Sequence, residues 1–434
     1  MHDVLDDRDL VPDEAQQLLH SGFPVDALLG AARAASADGD YVRLGTIAEE
    51  LADATRSPEW PYSEPTDEAT LSALAAGLPT LQVDRAQLRE RLFGAWLGRC
   101  VGNTMGKPVE GLTRTEVEIY LRAVGQWPQT GYISFLAELP TGVSHLHESA
   151  PFSSAGTFDD VPRDDDIDWT ILNLSLLEEH GDQITTAQIA AAWLDKLPFT
   201  QTFTAERAAY RNVIRSVPLD DCATVRNPYR EWIGALIRAD IFGYTHPGDL
   251  ASAAKLGLAD ARFSHVANGI YGEMWAAALV SAAFSTDDPR VALRAALLAV
   301  PESSRLAEAL RDVDELFDTG IGSVAALDWS DEHFGHYNWV HTINNAVHIA
   351  IALLWGQDFT DAIRITVAAG SDTDSSAATV GSVYGALHGA SAIPAELIGT
   401  THVHVRSAVK DFDRITIADL ADRTYRLIDQ KGNA

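Results

Sequence analysis

Gly94-Ala95-Trp96-Leu97-Gly98-Arg99-Cys100-Val101-Gly102 puts a glycine at every fourth position of a segment in which Leu88, Leu92, Ala95 and Trp96 follow helical spacing. Glycine costs a helix interior about 1 kcal/mol relative to alanine. Three glycines on one face therefore point to a second helix that approaches closely there. Asp84, with Gln87 three residues on, has the pattern of a capping box and marks the expected helix start. The expected end is Gly102-Asn103-Thr104-Met105-Gly106-Lys107-Pro108-Val109-Glu110. Alanine and leucine recur at helical spacing through most of the chain, and strand signals are scarce. The expected fold is all-α, a compact multi-helix domain.

Residues 1–82 read as a helical extension and residues 83–434 as the main domain. Short helical patterns cover 11–19 and 24–35. Trp60-Pro61-Tyr62-Ser63-Glu64-Pro65 then breaks any helix and reads as a wrapping connector. Leu18, Leu19, Phe23, Leu28 and Leu29 are too few for an independent core. The extension is expected to pack on the main domain, with Trp60 and Tyr62 as anchors. Residues 126–162 are rich in aromatics, Pro, Gly and Ser. They form a long irregular loop of the kind that often serves function.

That loop leads into Asp164-Asp165-Asp166-Ile167-Asp168, and a second acidic cluster lies at Gly370-Ser371-Asp372-Thr373-Asp374-Ser375-Ser376. Each heads an apolar run where a helix is expected to begin. Carboxylates this close repel one another unless a cation neutralises them. Hard divalent cations take oxygen ligands of these types. Two clusters far apart in sequence could meet in the fold and hold one or two metal ions. The plainer reading is a pair of acidic N-caps favoured by the helix dipole.

The 434 residues include 62 acidic and 32 basic side chains, a formal charge of -30. So negative a surface repels nucleic acid and anionic lipid, and neither is an expected partner. An anionic substrate would need a local remedy, such as metal ions or a few placed arginines. Cys100 and Cys222 are the only cysteines, so there is no disulfide framework. Residues 1–7 lack the basic and apolar regions of a signal peptide, and the apolar runs 275–284 and 346–355 are too short to span a membrane. A cytoplasmic protein is expected.

Four segments, in order, resemble the ADP-ribosylglycohydrolase family, which includes dinitrogenase-reductase-activating glycohydrolase. The family's glycine-spaced helix and G-D-x-x-G-x-P-x-E turn are matched by Gly94 to Gly98 and Gly102 to Glu110. Its T-D-D-T cluster is matched by Asp164-Asp165-Asp166-Ile167. Gly234-Ala235-Leu236-Ile237-Arg238 and Ser264-His265 look like its third element, and Gly370 to Ser375 match its G-x-D-T-D-T. Asp164 stands where Thr or Ser is usual, Ile167 where a second Thr is common, and Asn103 where Asp is usual. These departures mark a divergent branch.

The resemblance implies an all-α fold with a cleft holding two Mg²⁺ or Mn²⁺. Asp164, Asp165, Asp166, Asp372, Asp374 and Ser375 would be metal ligands. Glu110, Asp165 and Asp166 would serve catalysis. Asn103, Gly234, Arg238, His265, Gly370 and Ser371 would contact substrate. Glu110 reads otherwise as a loop glutamate, His265 as structural and Arg238 as ion-paired. The implied reaction is hydrolysis of a glycosidic bond, N-glycosidic first, to the ribose of an ADP-ribosyl or related nucleotide conjugate, protein-linked or small. Two rivals stand beside it. One is a crystallin-like structural or binding protein with a spent site. The other is a phosphotransferase, which would need Asp372 and Asp374 after a strand of an α/β sheet.

Overall fold

The glycine helix spans Leu88–Gly106 in the computed structural model, which describes residues 5–432. Residues 1–4, part of the stretch read for a signal peptide, and residues 433–434 lie outside the described range. The helix starts later than the sequence suggested. Asp84 instead closes a turn, its carboxylate accepting from the Ala86 amide at 2.9 Å, and Gln87 makes no side-chain cap. The helix also continues past Gly102 and ends in a single 3₁₀ turn, Lys107–Val109.

Its partner is the helix Thr373–His388, which runs antiparallel to it. A methyl group built on Gly98 would overlap the carbonyl of Gly381, one on Gly102 that of Ala377, and one on Gly106 that of Thr373. Gly381 and Gly385 meet Gly98 and Gly94 in the same way from the other side. Any side chain on these faces would push the backbones apart, which explains why glycine is tolerated in the helix interior. The register sets the end of one helix against the start of the other, and the Thr373 hydroxyl donates to the Gly106 carbonyl at 2.8 Å.

The first acidic cluster heads the helix Asp165–His180. Arg99, fully buried on the glycine helix, ties that helix in place. It donates to the Asp166 carbonyl at 3.1 and 2.7 Å and pairs with Asp240 at 2.7 Å. Among the described residues there are 21 α-helices and one two-residue antiparallel ladder, His404–Val405 with Ile415–Thr416. The fold is all-α. Asp372 and Asp374 follow the helix Phe359–Ala368, not a strand, so the scaffold of a sheet-based phosphotransferase is absent. No helix among the described residues is long and apolar enough to cross a membrane.

Residues 7–52 form the helices Asp7–His20, Asp26–Asp38 and Tyr41–Ala52. The expectation that this stretch lacks a core is corrected. Leu44, Ile47 and Leu51 on the third helix join Val11, Leu18 and Leu29 in a separate buried cluster. Polar contacts also tie the stretch to later residues. Gln17 and Ser21 donate to Glu231 at 2.7 and 3.1 Å, and the Tyr62 hydroxyl donates to Glu308 at 2.8 Å. Trp60 covers Gly22 and meets Tyr62 edge-on, ring centroids 5.0 Å apart. We place the boundary between extension and main domain at residue 82 as a proposal.

Candidate metal centre

The loop before the second cluster is pinned to the turn after the glycine helix. The Ser371 amide donates to the Leu112 carbonyl at 2.9 Å, and the Gly111 amide to the Ser371 carbonyl at 3.0 Å. Gly370 has φ +70°, and a Cβ there would lie 2.6 Å from the Arg114 amide nitrogen. Gly370 and Ser371 thus lock two loops together, which sets Glu110 beside Asp372.

The result is two groups of carboxylates. One oxygen each from Glu110, Asp372 and Asp374 lies within 4.8 Å of the others, and the same holds for Asp164, Asp166 and Asp374. The two triads share Asp374. Asn103 donates to Asp166 at 2.8 Å and so orients that carboxylate. Asp164 caps its helix, accepting from the Asp166 amide at 3.0 Å. The first triad lines a cavity of about 280 Å³, together with Asp165, Ser375, Gly234, His147, Phe203 and Trp339, and the second reaches it through the shared Asp374.

Of the six expected substrate contacts only Gly234 lines this cavity; Asn103, Gly370 and Ser371 hold the carboxylates and loops beside it, and Arg238 and His265 pack elsewhere. Arg238 has no exposed surface and is committed to Glu206, Asp260 and Glu273, with its guanidinium over Trp169 and Trp193. His265 is buried, with Nδ1 2.8 Å from the Ser264 hydroxyl, and does not line the cavity. Asp168, the last carboxylate of the first cluster, is turned away too. It accepts from Arg163 at 2.7 Å, from the Ser407 hydroxyl at 2.6 Å and from the Ala408 amide at 3.0 Å.

The residue that sequence reasoning missed is Lys107. Its ammonium lies 2.7 Å from Glu110, 2.6 Å from Asp164 and 2.6 Å from Asp374. It sits inside the quoted glycine-proline turn, and the only signal for it was a lysine in a segment already expected to face the cleft. Burial would lower its pKa, but Asp164, Asp374 and Glu110 hold it well above its ordinary value. Burial also resists ionisation of Asp164, yet Lys107 and Arg163 bring that carboxyl down to about 2. Elsewhere burial and neighbouring carboxylates prevail. Glu110 is pushed up to about 8, by burial and then Asp374, and Asp165 to about 7, by burial and then Asp164. Asp166 and Asp372 are raised well above the usual range, again by burial first. His147, from the irregular loop, was also missed; its Nδ1 lies 3.2 Å from Glu110.

The donor set suits a hard cation. It is all oxygen, and Asp166 Oδ1 and Asp374 Oδ1 are buried without a hydrogen-bond partner. The sequence model of the ADP-ribosylglycohydrolase family matches residues 84–434. The chain belongs to that family. It shares 21% identity with a solved structure described as an "ADP-ribosylglycohydrolase-related protein complex". The match covers 79% of this chain and 99% of that one, with a TM-score of 0.46. No curated protein matches it. Asp164, at the position where the sequence departs from the family pattern, is one of the three carboxylates that meet Lys107.

Proposed function

We propose that the chain is a divalent-metal-dependent glycohydrolase. It would cleave a bond, N-glycosidic first, between the anomeric carbon of ribose and its leaving group in an ADP-ribosyl or related nucleotide conjugate. The observation that supports this reading is the pair of carboxylate triads that share Asp374, the first of them on the wall of a cavity. Mg²⁺ or Mn²⁺ would be held by Asp372 and Asp374, with Asp164, Asp165, Asp166 and Ser375 alongside. When bound, such ions act as Lewis acids, position ribose hydroxyls and make a bound water more acidic.

The chain's own groups do the rest. Glycoside cleavage builds positive charge at the anomeric carbon and needs a proton for the leaving group. Glu110, with a pKa near 8, would carry a proton at neutral pH, with His147 beside it at 3.2 Å. A carboxyl raised by burial is suited to that role. The dense negative charge of the triads favours a cationic transition state. Phe203 and Trp339 offer apolar faces on the cavity wall, and Gly234 leaves room beside Glu206.

The test is a turnover screen over arginine-linked ADP-ribose, small NAD-derived ribosides and ADP-ribosylated proteins. At least one conjugate should release ADP-ribose or the free ribosyl product, chelation should stop the release, and Mg²⁺ or Mn²⁺ should restore it. Activity on the arginine-linked compound should be poor, because Asp164, Ile167 and Asn103 change the groups beneath the ribose. Turnover of no conjugate, with no ADP-ribose binding at millimolar ligand, would instead favour the crystallin-like reading.

A further inference from the structure

The Lys107 ammonium forms ion pairs with three carboxylates, Glu110 at 2.7 Å, Asp164 at 2.6 Å and Asp374 at 2.6 Å, and donates a hydrogen bond to the last. These are one member of the first triad, one of the second, and the residue common to both. The ammonium therefore stands between the two places where the carboxylates converge. It is not a surface lysine reaching inward. The residue is 6% exposed and belongs to the 3₁₀ turn Lys107–Val109, itself buried. That turn follows directly on Gly106, whose backbone touches Thr373.

Its effect on the two triads is unequal. Asp164 has both oxygens engaged, Oδ1 with the Asp166 amide at 3.0 Å and Oδ2 with Lys107 at 2.6 Å. Glu110 and Asp374 give only one oxygen each to the lysine, and Asp374 Oδ1 is buried with no hydrogen-bond partner. Asp372 lies close to both and makes no ion pair with Lys107. A divalent ion coordinates oxygen at about 2.0–2.6 Å. Lys107 sits on two carboxylates of each triad, but only Asp164 has both oxygens engaged. An ion beside Asp164 would have to displace the ammonium, because like charges that close repel strongly. Asp372 is free of the ammonium and can take an ion with Asp374.

We infer that Lys107 is a resident cation that takes the place of one metal ion. The centre of this chain accommodates a single divalent ion, held by Asp372 and Asp374 on the side away from Asp164. The inference rests on the reading of the cluster as a metal centre. It assigns Lys107 as a positioning residue that keeps the two clusters together whether or not metal is present. It also gives Asp164 a purpose, as counter-charge to the lysine.

The number of ions tests this without any activity. Mn²⁺ bound per full-length chain is counted by electron paramagnetic resonance of the free ion, and checked by native mass spectrometry. The wild type should bind one Mn²⁺. Lys107→Met keeps the apolar stem and removes the charge, so it should bind two, and its metal-free form should melt at a lower temperature than wild type. Two ions in the wild type would overturn the inference and leave the metal-centre reading intact, as would one ion in both proteins. No ion in either protein would overturn both. If Lys107→Met does not fold, the wild-type count still decides, since two ions overturn the inference and one supports it.

Discussion

Two buried cations in this molecule each face three carboxylates, and they have opposite surroundings. Arg238 is enclosed by Glu206, Asp260 and Glu273 beneath Trp169 and Trp193, and lines no described cavity itself, although its partner Glu206 does. Lys107 is enclosed by Glu110, Asp164 and Asp374, and stands in the wall of a cavity with Asp165, Asp166 and Asp372 close by. Arginine's planar fork suits fixed pairing, whereas a lysine ammonium is a compact point charge. The first arrangement holds helices together. Both leave buried carboxylate oxygens without a hydrogen bond, on Asp260 and Glu273 in the first and on Asp166 and Asp374 in the second, but only the second gathers Glu110, Asp372 and Asp374 on a cavity wall. A surplus of negative charge that borders a cavity, and not burial alone, separates a site from a scaffold.

The largest expected effect strikes the scaffold half of this pair. Arg238→Met strands Glu206, Asp260 and Glu273, and the loss of one partner of a buried ion cluster costs about 3–5 kcal/mol. Denaturant unfolding should show that loss while Mn²⁺ affinity stays within twofold of wild type. A large fall in affinity at retained fold would mean that the two clusters are not separate.

Gly98→Val should come next. Its side chain would drive into the Gly381 carbonyl, and overpacking of this kind costs about 1–3 kcal/mol. Because the same register brings Gly106 to Thr373, metal affinity should fall together with stability. A variant destabilised without loss of metal affinity would detach the centre from the helix register.

The glycine repeat is also the part of the fold that was most legible. A glycine every fourth residue in an otherwise good helix has few explanations other than backbone contact, and the contact is there. The acidic clusters were legible as carboxylates needing a cation. Their convergence on Asp374 was not, because it depends on the antiparallel register and on the bonds that pin Ser371 to Gly111 and Leu112. For Arg238 and His265 the sequence left two readings open, and the structure matches the ion-paired and structural ones, because a motif does not tell whether a side chain faces a cavity or packs behind it. Lys107 was passed over because a lysine in a glycine-proline turn reads as surface charge. Asp84 and Gln87 had the letters of a capping box but close a turn ahead of the helix.

The pH response should also divide the two regions. Glu110 and Asp165 have folded pKa values near 8 and 7, above the ordinary carboxyl values of 4.5 and 3.8. Over that window the folded, metal-free protein binds more protons than the unfolded chain, so its stability falls as pH rises from about 4 to about 8. Asp164 acts in the opposite sense. Its pKa near 2 gives stability above pH 3.8 that is lost as pH drops toward 2. Metal must displace the protons of the raised groups, so Mn²⁺ affinity should rise about tenfold per pH unit between pH 6 and 8 while one proton leaves per ion. Proton release measured by calorimetry in two buffers checks this, and a pH-independent affinity would contradict it.

The smallest effect belongs to the extension. Tyr62→Phe removes the bond to Glu308, which is partly exposed, and should cost no more than about 1 kcal/mol. It should leave metal binding untouched. A larger loss, or any change in metal affinity, would show that the first helices support the centre rather than cover a remote face.

The central claim is that the carboxylates gathered on Asp374 form a metal centre that receives an ADP-ribosyl group. Calorimetric titration of ADP-ribose into the full-length chain, with Mg²⁺ present and after chelation, tests it most directly. Binding should appear with Mg²⁺, weaken at least tenfold after chelation, and be lost in Asp374→Ala while the fold persists. Binding of equal strength with and without the ion, or none at millimolar ligand in either state, would contradict the claim.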